Sequence, residues 1–195
     1  LREYEPGDDF RHIHWMSTAR ANRPMVRHYV DNRRPHLAVL LDVRGEEFGP
    51  DEFEVGVEIA ATLAVSSFLH REPIAIWAGP EVVLGRGSPG DRDQVLDRLS
   101  LVRRGRDGRD EADLDAVASE MLRNEPGVSA VALVTGPMPS AALLGVVGQL
   151  RRKVRVIVVR VWPSRAVRHE PVPGAHALDV DSLDGFVGAW LGLTR

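Results

Sequence analysis

Four groups of residues in this 195-residue chain have the types and spacing to do chemistry. Asp8, Asp9, His12 and His14 lie close together, and in an extended segment His12 and His14 share one side, as two ligands of a metal ion would. His14 and Ser17 with a nearby aspartate could form a hydrolytic triad, but the chain has no Gly-x-Ser-x-Gly elbow to expose such a hydroxyl. Asp42 closes the apolar run His36-Leu37-Ala38-Val39-Leu40-Leu41, and Arg44, Glu46, Glu47 and Asp51 follow it. Gly85-Arg86-Gly87-Ser88-Pro89-Gly90 is glycine-rich but lacks the lysine of a phosphate loop and reads as a turn.

Each group also has a structural reading. A segment as dense in Arg, Asp, His and Trp as residues 1–20 reads as a polar clasp, in which arginines grip carboxylates bidentately and Trp15 covers a sheet. Asp42 reads as the partner of Arg44 or of a nearby amide, while the acids that follow begin a helix. Alternatively Glu46, Glu47 and Asp51 rebuild an oxygen cage with Asp42.

The elements that must hold these residues follow from periodicity. Residues 36–43 are apolar at consecutive positions, which marks a central strand of a parallel sheet covered on both faces, and Asp42 sits at its carboxyl end, where open α/β sheets place ligands. Residues 50–71 read as a long helix burying Phe53, Val57, Ala60, Ala61, Ala64 and Phe68. Ile74–Ala78 and Glu81–Leu84, separated by Gly79-Pro80, form an antiparallel hairpin whose second strand is an edge. Helices follow at 89–102 and from an Asp110 cap, the latter burying Leu114, Val117, Ala118, Met121 and Leu122. A second buried strand covers 128–135, then come a helix at 140–152, a strand at 154–161, a long proline-rich loop at 162–175 and a final helix at 182–193. Ahead of all these, Pro6-Gly7-Asp8-Asp9 is a turn, a short helical turn carries Ile13, Trp15 and Ala19 inward, and residues 25–30 alternate like an edge strand. The order calls for right-handed crossovers around a largely parallel, doubly wound α/β sheet with an antiparallel edge strand, centred on the two most apolar strands.

Composition narrows the function classes. With 44% hydrophobic and 27% charged residues the chain can bury a full core, and its division is read as a signature segment, residues 1–35, ahead of a domain at 36–195. The first segment carries seven arginines against five acids, the second eighteen basic residues against twenty-three acids, and neither balance suggests a nucleic-acid partner. Without cysteine there are no disulfides, thiolate metal sites or cysteine nucleophiles. No apolar run approaches the roughly 18 residues of a membrane span, so the chain reads as a soluble fragment, cytoplasmic or at the cytoplasmic face of a membrane. Starting at Leu1 inside a polar motif, it reads as the remainder of a longer protein.

The strand and helix order, with a hairpin after the first long helix and an aspartate closing the first strand, resembles the von Willebrand factor A-like fold. More narrowly, Arg2, Tyr4, Pro6-Gly7-Asp8, Arg11, Ile13-His14-Trp15, Ala19-Arg20 and Val26-Arg27 resemble the signature of the bacterial family called domain of unknown function 58, which precedes an A-like domain. A-like domains that bind Mg²⁺ use Asp-x-Ser-x-Ser after the first strand, a threonine in a later loop and an aspartate after the fourth strand, because Mg²⁺ takes near-octahedral oxygen ligands and small hydroxyls leave room for water. Here the run is Asp42-Val43-Arg44-Gly45-Glu46, the loop at 103–110 has no threonine, and the later strand ends in Thr135-Gly136. The resemblance therefore implies a vestigial metal site at Asp42, Arg44, Glu46 and Thr135, no cofactor, and a non-enzymatic interaction domain. It also implies a protein partner, a MoxR-type ATPase, meeting a rim made of residues 42–48, 103–110 and 136–140. A metal-dependent ligand binder and a hydrolase built on the N-terminal motif are the alternatives.

Overall fold

A computed structural model describes residues 2–4, 15–21, 23–26, 36–45, 47–85, 91–105, 113–137, 141–164, 167–169 and 171–193. The chain divides into two compact units, Leu1–Arg33 and Arg34–Arg195.

In the first unit, strand β1 (Arg2–Glu3) pairs antiparallel with β2 (Met25–Val26), and helix α1 (Trp15–Ala21) lies between them in sequence. The Tyr4 amide donates to the Pro24 carbonyl at 2.9 Å, extending the strand pair, and the Met25 amide donates to Thr18 Oγ1 at 2.9 Å, tying β2 to α1. The expected strand at 25–30 is described only at Met25–Val26. The expected inward tryptophan is corrected: α1 buries no residue, and Trp15 is 71% exposed.

The second unit holds a six-stranded sheet with strands β3 (Leu37–Leu41), β4 (Ile74–Ala78), β5 (Glu81–Leu84), β6 (Ala130–Thr135), β7 (Arg155–Val161) and β8 (His176–Val180), in the spatial order β5-β4-β3-β6-β7-β8. All neighbours are parallel except β4 and β5. The two consecutive-apolar strands β3 and β6 occupy the centre, where both faces are covered. Gly79, at φ +52°, turns β4 directly into β5. The outer edge of β5 is blunted, since Arg98 Nη1 donates to the Val83 carbonyl at 3.0 Å.

Helices α2 (Pro50–His70), α3 (Arg92–Leu101), α4 (Leu114–Asn124), α5 (Ala141–Leu150) and α6 (Leu183–Leu193) form the outer layers. One face of the sheet packs Val39, Leu41, Val134 and Val159 against Ile59 and Leu63 of α2, Leu99 of α3 and Phe186 of α6. The other packs Leu40, Trp77, Leu133 and Val158 against Met121 of α4 and Leu143 and Leu150 of α5. Asp91 and Asp113 cap α3 and α4 by accepting from the amides of Gln94 (2.9 Å) and Asp115 (3.1 Å); Asp110, the cap expected from sequence, lies outside the described residues.

Three further expectations change. The buried face of α2 is Phe53, Gly56, Ile59, Ala60, Leu63, Ala64 and Ser67, rotated from the expected one because α2 touches α3 and α6 as well as the sheet, while Glu54 and Glu58 are left on its exposed side. By length and composition alone α2 is long and apolar enough to cross a membrane, which differs from the expectation of no such segment; its Phe53-Ile59-Leu63 face is nonetheless packed in the core. Strand β8 follows the proline-rich loop where no strand was expected.

Candidate functional site

The site grows from the carboxyl end of β3. Parallel pairing with β6 continues one residue beyond the strand, so the Asp42 amide donates to the Val134 carbonyl at 2.9 Å and the side chain is held at 0% exposure. A carboxylate there must have its lone pairs filled. Oδ1 accepts the Arg44 amide at 3.1 Å and Arg44 Nε at 2.9 Å; Oδ2 accepts Arg44 Nη2 at 2.7 Å and the Thr135 hydroxyl at 3.0 Å. Arg44, 7% exposed, also reaches Glu47 Oε1 from Nη2 at 3.3 Å. The fork of a guanidinium matches both carboxylate oxygens at once, the condition under which a buried ion pair recovers its desolvation cost.

The loop carrying this clamp is fixed from several sides. A Cβ at Gly136 would lie 1.4 Å from the Glu47 carbonyl oxygen, so only glycine lets the end of β6 pass the loop. The Gly105 amide donates to the Val43 carbonyl at 2.6 Å, and Arg104 Nη1 donates to the carbonyls of Gly45 and Phe48, the latter at 3.0 Å. Phe48 then anchors in the core, edge-on to Phe53 at 5.7 Å between ring centres.

Register extends the polar character sideways. Leu41 is level with Val134, so Asp42 is level with Thr135, Thr135 pairs with Arg160, and Arg160 with Asp179. All four lie on the α4/α5 face, since they continue its alternation through Leu40, Leu133, Val158 and Ala177. Arg160, fully buried, grips Asp179 through Nε at 2.6 Å and Nη2 at 2.8 Å, and Trp162 Nε1 donates to the same carboxylate at 3.0 Å. His169 Nδ1 stands 3.7 Å from Asp179 Oδ2. The sequence reading missed this second cluster; its signal was an arginine inside an otherwise apolar strand, which demands a buried anion.

Beside the clamp a cleft of about 500 Å³ opens between the β4–β5 turn and the end of α3. Val43, Ala78, Pro80, Leu101 and Val102 give it an apolar lining, with Glu81, Arg103 and Arg104 around them. Leu101 is 67% exposed.

Of the residues singled out from sequence, Asp42, Arg44, Glu47 and Thr135 come together, while Asp51 is exposed in the first turn of α2. Glu46 lies outside the described residues, as do Gly7, Asp8, Asp9, Arg11, His12 and His14. Arg2 is in β1, Tyr4 follows it, and Trp15, Ser17 and Arg20 are in α1.

A family model described as "Protein of unknown function DUF58" matches residues 1–178. The chain belongs to the DUF58 family. No match emerges among curated proteins. Among solved structures, the domain is similar to the manganese-loaded TRAP protein of Plasmodium vivax, with a TM-score of 0.53 and 18% identity over 80% of this chain and 72% of that one. It is also similar to proximal thread matrix protein 1 of the mussel byssus, whose structure is described with a zinc-occupied MIDAS motif; the TM-score is 0.55 and the identity 11% over 82% of this chain and 46% of that one. A lesser likeness, with a TM-score of 0.44 and 14% identity over 67% of this chain and 34% of that one, is to a von Willebrand factor type A protein from Catenulispora acidiphila. The fold of this DUF58 domain is von Willebrand factor A-like.

That fold implies a divalent cation at the end of β3, and the donors here do not fit one. Each Asp42 oxygen already accepts two hydrogen bonds, and a cationic group occupies the space in front of them. Among the described residues no group of three or more His, Asp or Glu side chains is arranged to hold a metal ion.

Proposed function

We propose that this DUF58 domain is a non-enzymatic protein-interaction domain that offers the carboxyl-end rim of its sheet to a protein partner, with a MoxR-type ATPase as the candidate that the family resemblance brings forward. The observation that carries the reading is the cleft beside the clamp, apolar along Val43, Ala78, Pro80, Leu101 and Val102 and polar along Glu81, Arg103 and Arg104. Its backbone walls are fixed by Arg104, Gly105 and the Asp42–Arg44 pair, so docking costs little reordering, and exposed Leu101 offers an apolar anchor with arginines around it. Reversing the character of that anchor tests it. Leu101→Asp is expected to weaken binding of the purified ATPase at least about thirtyfold, the scale of an interface hot spot, measured by biolayer interferometry. Unchanged affinity would place the contact elsewhere, and no binding by the unaltered domain would remove the ATPase as partner.

A second reading, a divalent-cation-dependent ligand binder centred on Asp42, is favoured by the metals named for the two similar structures. Calorimetric titration with Mg²⁺ and Mn²⁺ separates the two. Micromolar binding that Asp42→Ala abolishes supports the second reading, and no heat at millimolar ion supports the first.

A further inference from the structure

We propose that the Arg44 guanidinium is a tethered cation, taking from within the chain the position that a divalent ion holds in metal-loaded domains of this fold. The inference rests on the reading above that the rim works without metal. Asp42 and Glu47 are both buried, and two carboxylates cannot stay charged side by side out of water unless a cation lies between them. Arg44 Nη2 is that cation, 2.7 Å from Asp42 Oδ2 and 3.3 Å from Glu47 Oε1. The Thr135 hydroxyl supports the same carboxylate from the neighbouring strand. Guanidinium donors and a metal ion compete for the same lone pairs, so one excludes the other.

The substitution changes how the rim is governed. A bound ion can leave, and while present it can keep an open coordination position for an acidic group of a partner. Arg44 can do neither: it is covalently held, and at 7% exposure it turns no open face to solvent. The rim is therefore permanently in its cation-filled state, indifferent to the concentration of divalent ions.

Replacing the guanidinium by a small hydroxyl tests this, with Mg²⁺ and Mn²⁺ as probes and thermal unfolding as readout. Arg44→Ser takes one guanidinium donor from each Asp42 oxygen, leaves the residue-44 amide on Oδ1 and the Thr135 hydroxyl on Oδ2, keeps Glu47 in place and vacates room for water. Its melting temperature is expected to fall without metal and to rise by roughly 5–10 °C at ion concentrations near 100 times Kd, while the unaltered domain and Arg44→Lys move by less than about 1 °C. Adding Asp42→Ala to Arg44→Ser is expected to abolish the rise. Should Arg44→Ser prove unfolded without metal, refolding on addition of Mn²⁺ supports the proposal, and Arg44→Ser with Glu47→Gln, which carries one buried charge fewer, repeats the titration on a folded chain. If neither variant responds while the unaltered domain is also silent, the tethered cation is wrong and the metal-free reading of the rim stands. If the unaltered domain binds the ions as tightly as Arg44→Ser, both are wrong.

Discussion

Gly136 is the position where a single methyl group should do the most damage for its size. The added carbon of Gly136→Ala would lie 1.4 Å from the Glu47 carbonyl oxygen, whereas such contacts are essentially never below 3.0 Å, so loop and strand must part by at least 1.6 Å. Neither side yields easily: the strand end is locked between β3 and β7, and the loop is held by the Arg44–Glu47 contact, by Arg104 on the Gly45 and Phe48 carbonyls and by Phe48 in the core. Overpacking of a side-chain core costs about 1–3 kcal/mol; with backbone as the obstacle and Phe48 partly withdrawn, about 3 kcal/mol or more is expected. For a domain of this size that lowers the melting temperature by roughly 6–12 °C. Circular dichroism during thermal and urea unfolding measures it, with Gly148→Ala in α5 as the control. No atom lies within 4 Å of a Cβ built at Gly148, so the control should gain about 0.5–1 kcal/mol from helix propensity. A loss below about 1 kcal/mol at Gly136 would refute the close approach of β6 to the clamp loop.

Two other perturbations follow from the same structure. Removing either partner of the buried Arg160–Asp179 pair should cost about 3–5 kcal/mol, while Arg160→Met with Asp179→Leu should recover much of that loss; a double-mutant cycle in urea reads the coupling, and additive losses would contradict the bidentate contact. Asp91→Ala should destabilise by about 1 kcal/mol through loss of the α3 cap, checked by the urea midpoint at constant slope.

How far the sequence could be read depended on where each partner lies. The two central strands were legible because burial on both faces forces consecutive apolar residues, and the β4–β5 hairpin because Gly79-Pro80 leaves no room for a crossover. The Asp42–Arg44 contact was within reach, since the residues are two apart and share one turn. The Arg160–Asp179 cluster was not, because it joins residues nineteen apart across a strand pair whose outer member, His176–Val180, is short and only partly buried. The buried face of α2 was also hidden: the acids that mark its outside, Asp51, Glu54 and Glu58, stop in the first half of the helix, and exposed Leu69 continues the same side as an apolar residue. Gly136 could be seen as a glycine after a strand, but the backbone facing it comes from far away in sequence.

The row Asp42, Thr135, Arg160 and Asp179 also bears on how the sheet assembles. The rungs below it are almost wholly aliphatic, and an aliphatic rung is nearly as content one step out of place. Sliding β7 by one residue against β6 would swing Arg160 through the sheet into the layer that holds Phe186 and Leu63, and would strand Asp179 without its counterion. The charged row therefore works as an index mark. Misaligned sheets carry orphaned charge and are driven out of the folding ensemble, so the rung that costs most to bury is also the one that selects the correct alignment of the others.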